Sequence, residues 1–309
     1  MRSLRLAALA ALSALASACV SFPDAPTAIA PPTLAANVLQ TADGMLLPMK
    51  AWPAPAPRAI VIALHGMNDY SNAFAMPGAW WAEHSAITTY AIDQRGFGAS
   101  AGAGRWFGAE TMKADLRSAV AAIRAAHPGT PIFVLGHSMG AAVVLAAEAD
   151  APLGVDGLIL AAPGVWGGSA LPLTYRLTAN LAAAFAPGKT LTGERAGRQA
   201  SDNIDVLRAM SADPLVIKET RVDAVLGVVR LMGEAFDRSG GVCTDALFLL
   251  GQKDEVIPLS AMEHVAESHC RGADIRRYPD GWHLLLRDLQ RERVWRDVAA
   301  WIAARQDVD

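Results

Sequence analysis

The 309-residue sequence predicts an α/β architecture: a mostly parallel central sheet flanked by helices, with a helical cap insertion. Three observations predict it. Six short apolar runs recur along the chain, and strands that are apolar throughout are buried on both faces. Helical patterns separate most of them, and alternating strand and helix builds a parallel sheet through crossovers. One long stretch, Gly164 to Gly241, breaks the alternation with helical amphipathicity and no clear strand. The composition agrees: 52% hydrophobic and 18% charged residues suit a chain with a sizeable core and exclude a disordered one. Mean hydropathy is +0.24, yet past residue 20 no apolar run reaches the roughly 18 residues a spanning helix needs. Formal charge is −3 with Lys and Arg scattered, so no basic face for nucleic acid is expected.

From the N-terminus, Arg2 and Arg5 precede the apolar stretch Leu6 to Leu15, then Ala16, Ser17 and Ala18 lead to Cys19. A charged start, a short apolar stretch and small residues before a cleavage point make residues 1–18 an expected export signal. Leu15-Ala16-Ser17-Ala18-Cys19 resembles a bacterial lipobox, with Ala16 where Leu is usual, so lipidation of Cys19 and a membrane anchor are expected. Plain signal cleavage after Ala18 competes with it. Residues 19–36 hold Pro23, Pro26, Pro31 and Pro32 and read as a semi-extended tether. Residues 37–163 and 242–309 are the expected core, and residues 164–241 the cap.

Within the core, Asn37 to Lys50 reads as a hairpin turning at Asp43-Gly44. Buried strands follow at Ala59–Leu64, Ile87–Ile92, Pro131–Leu135, Gly157–Ala162, Ala246–Leu250 and Asp274–Tyr278. Helices are expected at Ala109–His127, Ala141–Asp150, Leu259–Cys270 and Leu286–Arg305.

Ligands of open α/β sheets bind beyond the carboxyl ends of the strands, so chemistry is sought there. Gly136-His137-Ser138-Met139-Gly140 lies between a buried strand and a helix, the setting of a nucleophile elbow. A serine needs a base, and the base an orienting carboxylate. Asp254 follows the fifth apolar strand and His283 the sixth, giving the order serine, acid, histidine on one sheet edge. Glu255 and Asp280 are rival acids, and Asp254 is preferred. The Met139 amide opens the helix beside Ser138, and Met67, after His65-Gly66, is the second candidate oxyanion donor. His65 itself is read as supporting its loop. His264 and His269 are five apart, a poor ligand spacing, and no Cys/His cluster occurs, so neither metal nor cofactor is expected.

His65-Gly66-Met67, Asp93-Gln94-Arg95-Gly96-Phe97-Gly98, Gly136-His137-Ser138-Met139-Gly140, Gly251-x-x-Asp254 and Gly281-Trp282-His283 together resemble the monoacylglycerol lipase and lysophospholipase branch of the α/β-hydrolases. Ser211-Ala212-Asp213-Pro214-Leu215-Val216 is similar to that family's cap segment. The resemblance covers about residues 37 to 306. It implies a Ser138–His283–Asp254 triad, an oxyanion hole at Met67 and Met139, a mobile cap, and a small lipid or ester substrate. Dehalogenases and epoxide hydrolases carry a carboxylate where Ser138 stands and are disfavoured. A proline-iminopeptidase-like peptidase and an inactive lipid-binding lipoprotein are the rival readings.

Three smaller features remain. Cys243 and Cys270 precede the fifth and sixth strands, and if those are parallel neighbours a structural disulfide can form at the amino-terminal edge. Arg95 is read as a brace between loops. Trp80 and Trp81 suit either core packing or contact with lipid.

Overall fold

Nine strands form the central sheet of the computed structural model, which describes residues 20–192 and 197–306. The expected export signal and Cys19 lie outside the described residues. The strands are β1 (Thr33–Ala35), β2 (Val38–Gln40), β3 (Leu46–Trp52), β4 (Ala59–Leu64), β5 (Ile87–Ile92), β6 (Ile132–His137), β7 (Gly157–Ala161), β10 (Ala246–Gly251) and β11 (Asp274–Tyr278); β8 (Thr190–Thr192) and β9 (Glu219–Arg221) pair separately. The spatial order is β1-β2-β3-β5-β4-β6-β7-β10-β11. The first three strands run antiparallel, and β5, β4, β6, β7, β10 and β11 run parallel. Every residue of β4, β6, β7 and β10 is buried, as their unbroken apolar runs require. Edge strand β11 instead exposes Arg276 and Arg277, charges that discourage pairing with another sheet.

Eight helices accompany the strands among the described residues: α1 (Ala75–Ser85), α2 (Ala109–Ala126), α3 (Met139–Asp150), α4 (Leu173–Phe185), α5 (Ile204–Ala212), α6 (Val222–Arg238), α7 (Leu259–Glu267) and α8 (Arg291–Ala303). Helix α3 is apolar almost all round because it lies between the sheet and α6, and it is buried from Met139 to Glu148. Helix α1 has no counterpart in the sequence reading, since its weakly amphipathic run of Ala, Pro and Gly carries little periodicity. It seats Trp81 in the core with no exposed surface, its indole N–H donating to the Trp295 carbonyl at 2.9 Å. Trp80, half-buried, stacks on His84.

Arg95 is the brace its turn suggested. Its guanidinium donates to both Asp43 carboxylate oxygens at 2.9 and 3.0 Å, and to both of Asp115 at 3.0 and 2.6 Å. The β2–β3 turn, the loop after β5 and helix α2 are thereby locked together. Hydrogen bonding to Arg95 lowers the Asp43 pKa to about 2, whereas burial raises that of Asp115 to about 6. A depressed carboxylate stabilises the fold fully above its unfolded pKa of about 4, and that contribution is lost as pH falls through the folded value. Asp43→Asn is therefore expected to cost about 2 kcal/mol at pH 7. The difference from wild type should shrink as pH falls from 5 to 3 in urea unfolding; a gap constant over that range would remove the carboxylate as its source.

Cys243 and Cys270 are disulfide-bonded with Cα atoms 5.0 Å apart, at the amino ends of neighbouring parallel strands β10 and β11. Closing a loop of 27 residues' separation stabilises a fold by roughly 3 kcal/mol.

The stretch from Gly164 to Gly241 carries α4, α5 and α6, and also the two-stranded β8–β9 ribbon, which corrects the expectation of helix alone. Those strands are three residues each and expose most of their side chains, so no buried apolar run announces them. The stretch meets the core at the loop after β4. Asn68 donates from Nδ2 to Thr220 Oγ1 at 2.6 Å and accepts from the Ile217 amide at 2.9 Å. Tyr70 donates its hydroxyl to Asp213 at 2.6 Å, within the Ser211–Val216 segment singled out above.

Candidate active site

Strand β6 delivers Ser138 into a turn that ordinary L residues avoid, with φ 52° and ψ −115°. Such strained backbone persists only where the surroundings dictate it. Close packing does so here. A Cβ on Gly136 would lie 2.4 Å from Ala141 Cα, and one on Gly140 would lie 2.2 Å from the Leu64 carbonyl oxygen. The G-x-S-x-G spacing is therefore a steric requirement of strand and helix meeting at this angle. The Ser138 carbonyl accepts amides from Ala141, Ala142 and Gly164, which closes the elbow.

Strands β10 and β11 bring the other two side chains to the same edge. His283 Nε2 lies 2.9 Å from Ser138 Oγ, and its Nδ1 lies 2.8 Å from Asp254 Oδ2. The other Asp254 oxygen accepts the amides of Val256 at 2.7 Å and Ile257 at 2.9 Å, and the carboxylate is wholly buried. With both amides on Oδ1, Oδ2 is left to accept the hydrogen bond of Nδ1–H, which leaves Nε2 as the acceptor facing the serine. The rival acids point elsewhere. Glu255 accepts the Gln199 amide, and Asp280 pairs with Lys253 in solvent.

The loop after β4 lies against the serine, since a Cβ on Gly66 would come 3.2 Å from Ser138 Cβ. Among the described residues no acceptor faces the amide of Met67 or Met139. Both are thus available to an oxyanion beside Ser138. His65 holds this loop, as read from the sequence. Its Nε2 accepts the Gln94 amide at 3.0 Å, so Nδ1 carries the proton and donates to the Gly66 carbonyl at 2.8 Å. Burial lowers the His65 pKa and keeps the ring neutral.

Several supporting residues carry no signal in the sequence, because their partners are far away along the chain. His137 donates from Nε2 to the His283 carbonyl at 2.9 Å, across 146 positions. Burial lowers its pKa to about 3, so it stays neutral and a single-proton donor. Asp69 and Arg287 form a buried ion pair that joins the loop after β4 to the loop after β11. Asp288, fully buried, accepts the Trp282 amide at 2.7 Å and the Ser201 hydroxyl at 2.6 Å. Burial raises its pKa.

Ser138 is buried to 9% exposure. A cavity of about 520 Å³ opens between α1 and α5, lined by Asp69, Tyr70, Met210, Asp213, Val216 and Arg287; neither Ser138 nor His283 lines it. Elsewhere, the carboxylates of Glu110, Asp150 and Glu234 converge on Lys113 Nζ at 2.6 to 2.9 Å, so an ammonium occupies the centre of that cluster. His264 stacks on Phe236 and His269 bonds the Thr244 carbonyl, so the two do not meet.

Comparison with known proteins agrees with this architecture. A family model described as serine aminopeptidase, S33, matches residues 55–290. A monoacylglycerol lipase from Mycolicibacterium smegmatis is 24% identical over 265 residues, covering 84% of this chain and 94% of its own. The mouse monoglyceride lipase is 26% identical over 277 residues, covering 86% of this chain and 90% of its own. Among solved structures, a Paleococcus ferrophilus monoacylglycerol lipase superposes with TM-score 0.71 at 20% identity, over 84% of this chain and 99% of its own. A soluble variant of the Saccharomyces cerevisiae monoglyceride lipase reaches TM-score 0.72 at 16% identity, over 93% and 99%.

Proposed function

The chain belongs to the serine aminopeptidase S33 family of α/β-hydrolases, and on that footing we propose that it is a serine esterase acting on monoacylglycerol- or lysophospholipid-type esters. The observation that carries the reading is the Asp254–His283–Ser138 hydrogen-bond chain, 2.8 and 2.9 Å, ending on a serine held in strained backbone. Ser138 Oγ attacks the ester carbonyl carbon while His283 Nε2 takes its proton. The amides of Met67 and Met139 stabilise the oxyanion, a contribution of several kcal/mol in the transition state. The carbon–oxygen bond to the alcohol then breaks, and His283 returns the proton to the leaving oxygen. Water attacks the acyl-enzyme by the same steps in reverse roles, freeing the acid and Ser138. Asp254 holds the His283 tautomer and stabilises its charged form.

A lipid substrate is supported by the names of the curated relatives and by the cap, where α4 presents Leu173, Tyr175, Leu177 and Phe185 to solvent, 54 to 84% exposed. An exported protein anchored through lipidated Cys19 is supported by the signal pattern and by the Cys243–Cys270 disulfide, a bond that persists in oxidising compartments. The family description favours a second reading, a peptidase cleaving N-terminal residues on the same scaffold. A panel of p-nitrophenyl esters from C2 to C16, monoacylglycerols, lysophospholipids and aminoacyl naphthylamides separates the two. Ester turnover with a medium- or long-chain optimum is expected; turnover confined to the naphthylamides would replace the esterase by the peptidase.

A further inference from the structure

Helix α4 is weakly seated. Of its thirteen residues only Ala183 is buried, and a cavity of about 320 Å³ separates part of it from α6. What holds it is a small apolar cluster of Ala183, Val222 and Leu226, completed by Ala179 and by two residues from far upstream, Val20 and Phe22. The stretch expected to be a free tether is thus laid on the cap. Arg230 of α6 ties the two together. It donates to the Val20 carbonyl and, at 2.6 Å, to Asn180 of α4, and its guanidinium lies 5.4 Å over the Phe22 ring. Phe22 also packs against the main core, edge-on to Trp106 at 6.3 Å, and the Trp106 indole in turn lies against Gly227 of α6. The fit is close, since a Cβ on Gly108 would come 2.8 Å from the Pro23 carbonyl oxygen.

We propose that Val20–Pro23 form a strap that seats cap helix α4 against α6 and the core, so that the cap is set from the N-terminal side of the chain. Phe22 is the side chain that spans the gap between the satellite cluster and the main core, and Arg230 is the cation that fastens strap to helix. Without the strap, α4 keeps little more than Ala179 and Ala183 against α6. Local stability follows buried apolar contact, so α4 opens before the sheet does. Because Cys19 directly precedes Val20 in the chain, any attachment at Cys19 would act directly on the cap. That consequence rests on the anchored-esterase reading; the strap itself does not.

The test is amide hydrogen exchange on the full mature chain and two variants, Phe22→Ser and Arg230→Met. Exchange across Leu173–Phe185 is expected to accelerate about tenfold in both, with α3 and β6 unchanged. A long-chain ester should show kcat/KM altered at least about threefold, against an unchanged value for p-nitrophenyl acetate, which needs little of the cap. Unchanged α4 exchange in both variants, or acceleration shared equally by α3, overturns the strap. Absence of ester turnover in wild type overturns the esterase reading instead and leaves the exchange result decisive.

Discussion

Ser138→Ala is expected to lower ester turnover by roughly five orders of magnitude while the fold stays intact. In the proposed mechanism Ser138 Oγ is the atom that bonds to the acyl group, and its removal sets the size of the loss. Two amide donors and the bound substrate would remain, so activity a few orders above water is the floor. A fluorophosphonate probe should label the wild type at Ser138 and leave the variant untouched. Stability adds an independent check. At φ 52° a non-glycine residue is strained, so Ser138→Gly should raise the unfolding free energy by about 1 kcal/mol while abolishing turnover. Unimpaired hydrolysis by Ser138→Ala would show that the site is elsewhere.

Asp254→Asn should cost about four orders of magnitude in kcat, although nothing is lost in shape. Asp254 Oδ1 accepts two backbone amides, so the carbonyl of an asparagine must take that place. Its NH₂ then faces His283 Nδ1 and donates to it. The proton moves to Nε2, the atom 2.9 Å from Ser138, and the imidazole can no longer accept the serine proton. Asp254→Ala leaves an unfilled buried site and two orphaned amides, and so should add a stability loss of 1–3 kcal/mol that the asparagine avoids. Comparing kcat with the unfolding midpoint for the two variants separates tautomer control from packing. Equal activity of Asp254→Asn and wild type would refute the orienting role.

The core strands and the meeting of Ser138, Asp254 and His283 at one sheet edge were legible because each depends on a short local pattern. An unbroken apolar run states burial on both faces, and β4 keeps the bounds Ala59–Leu64 read from it. G-x-S-x-G is legible because two close backbone approaches leave no room for a side chain at Gly136 or Gly140. Asp254 and His283 followed from strand ends in a parallel sheet. Helix α1 and the β8–β9 ribbon were not legible, one for want of periodicity and the other for want of burial.

The sequence by itself determined the layered architecture and the order in which serine, acid and histidine reach one sheet edge. Only the tertiary structure decided how those groups are held. His137 under the His283 carbonyl, Asp69 against Arg287, Asp288 on the Trp282 amide and Phe22 on the cap all join residues distant in the chain. Such pairs leave no periodicity, because neither partner's neighbours constrain the other until the sheet has brought the loops together. The same reason turned a proline-rich stretch, read as a semi-extended tether, into a packed strap: composition sets chain stiffness, but the surface available to the chain exists only after folding.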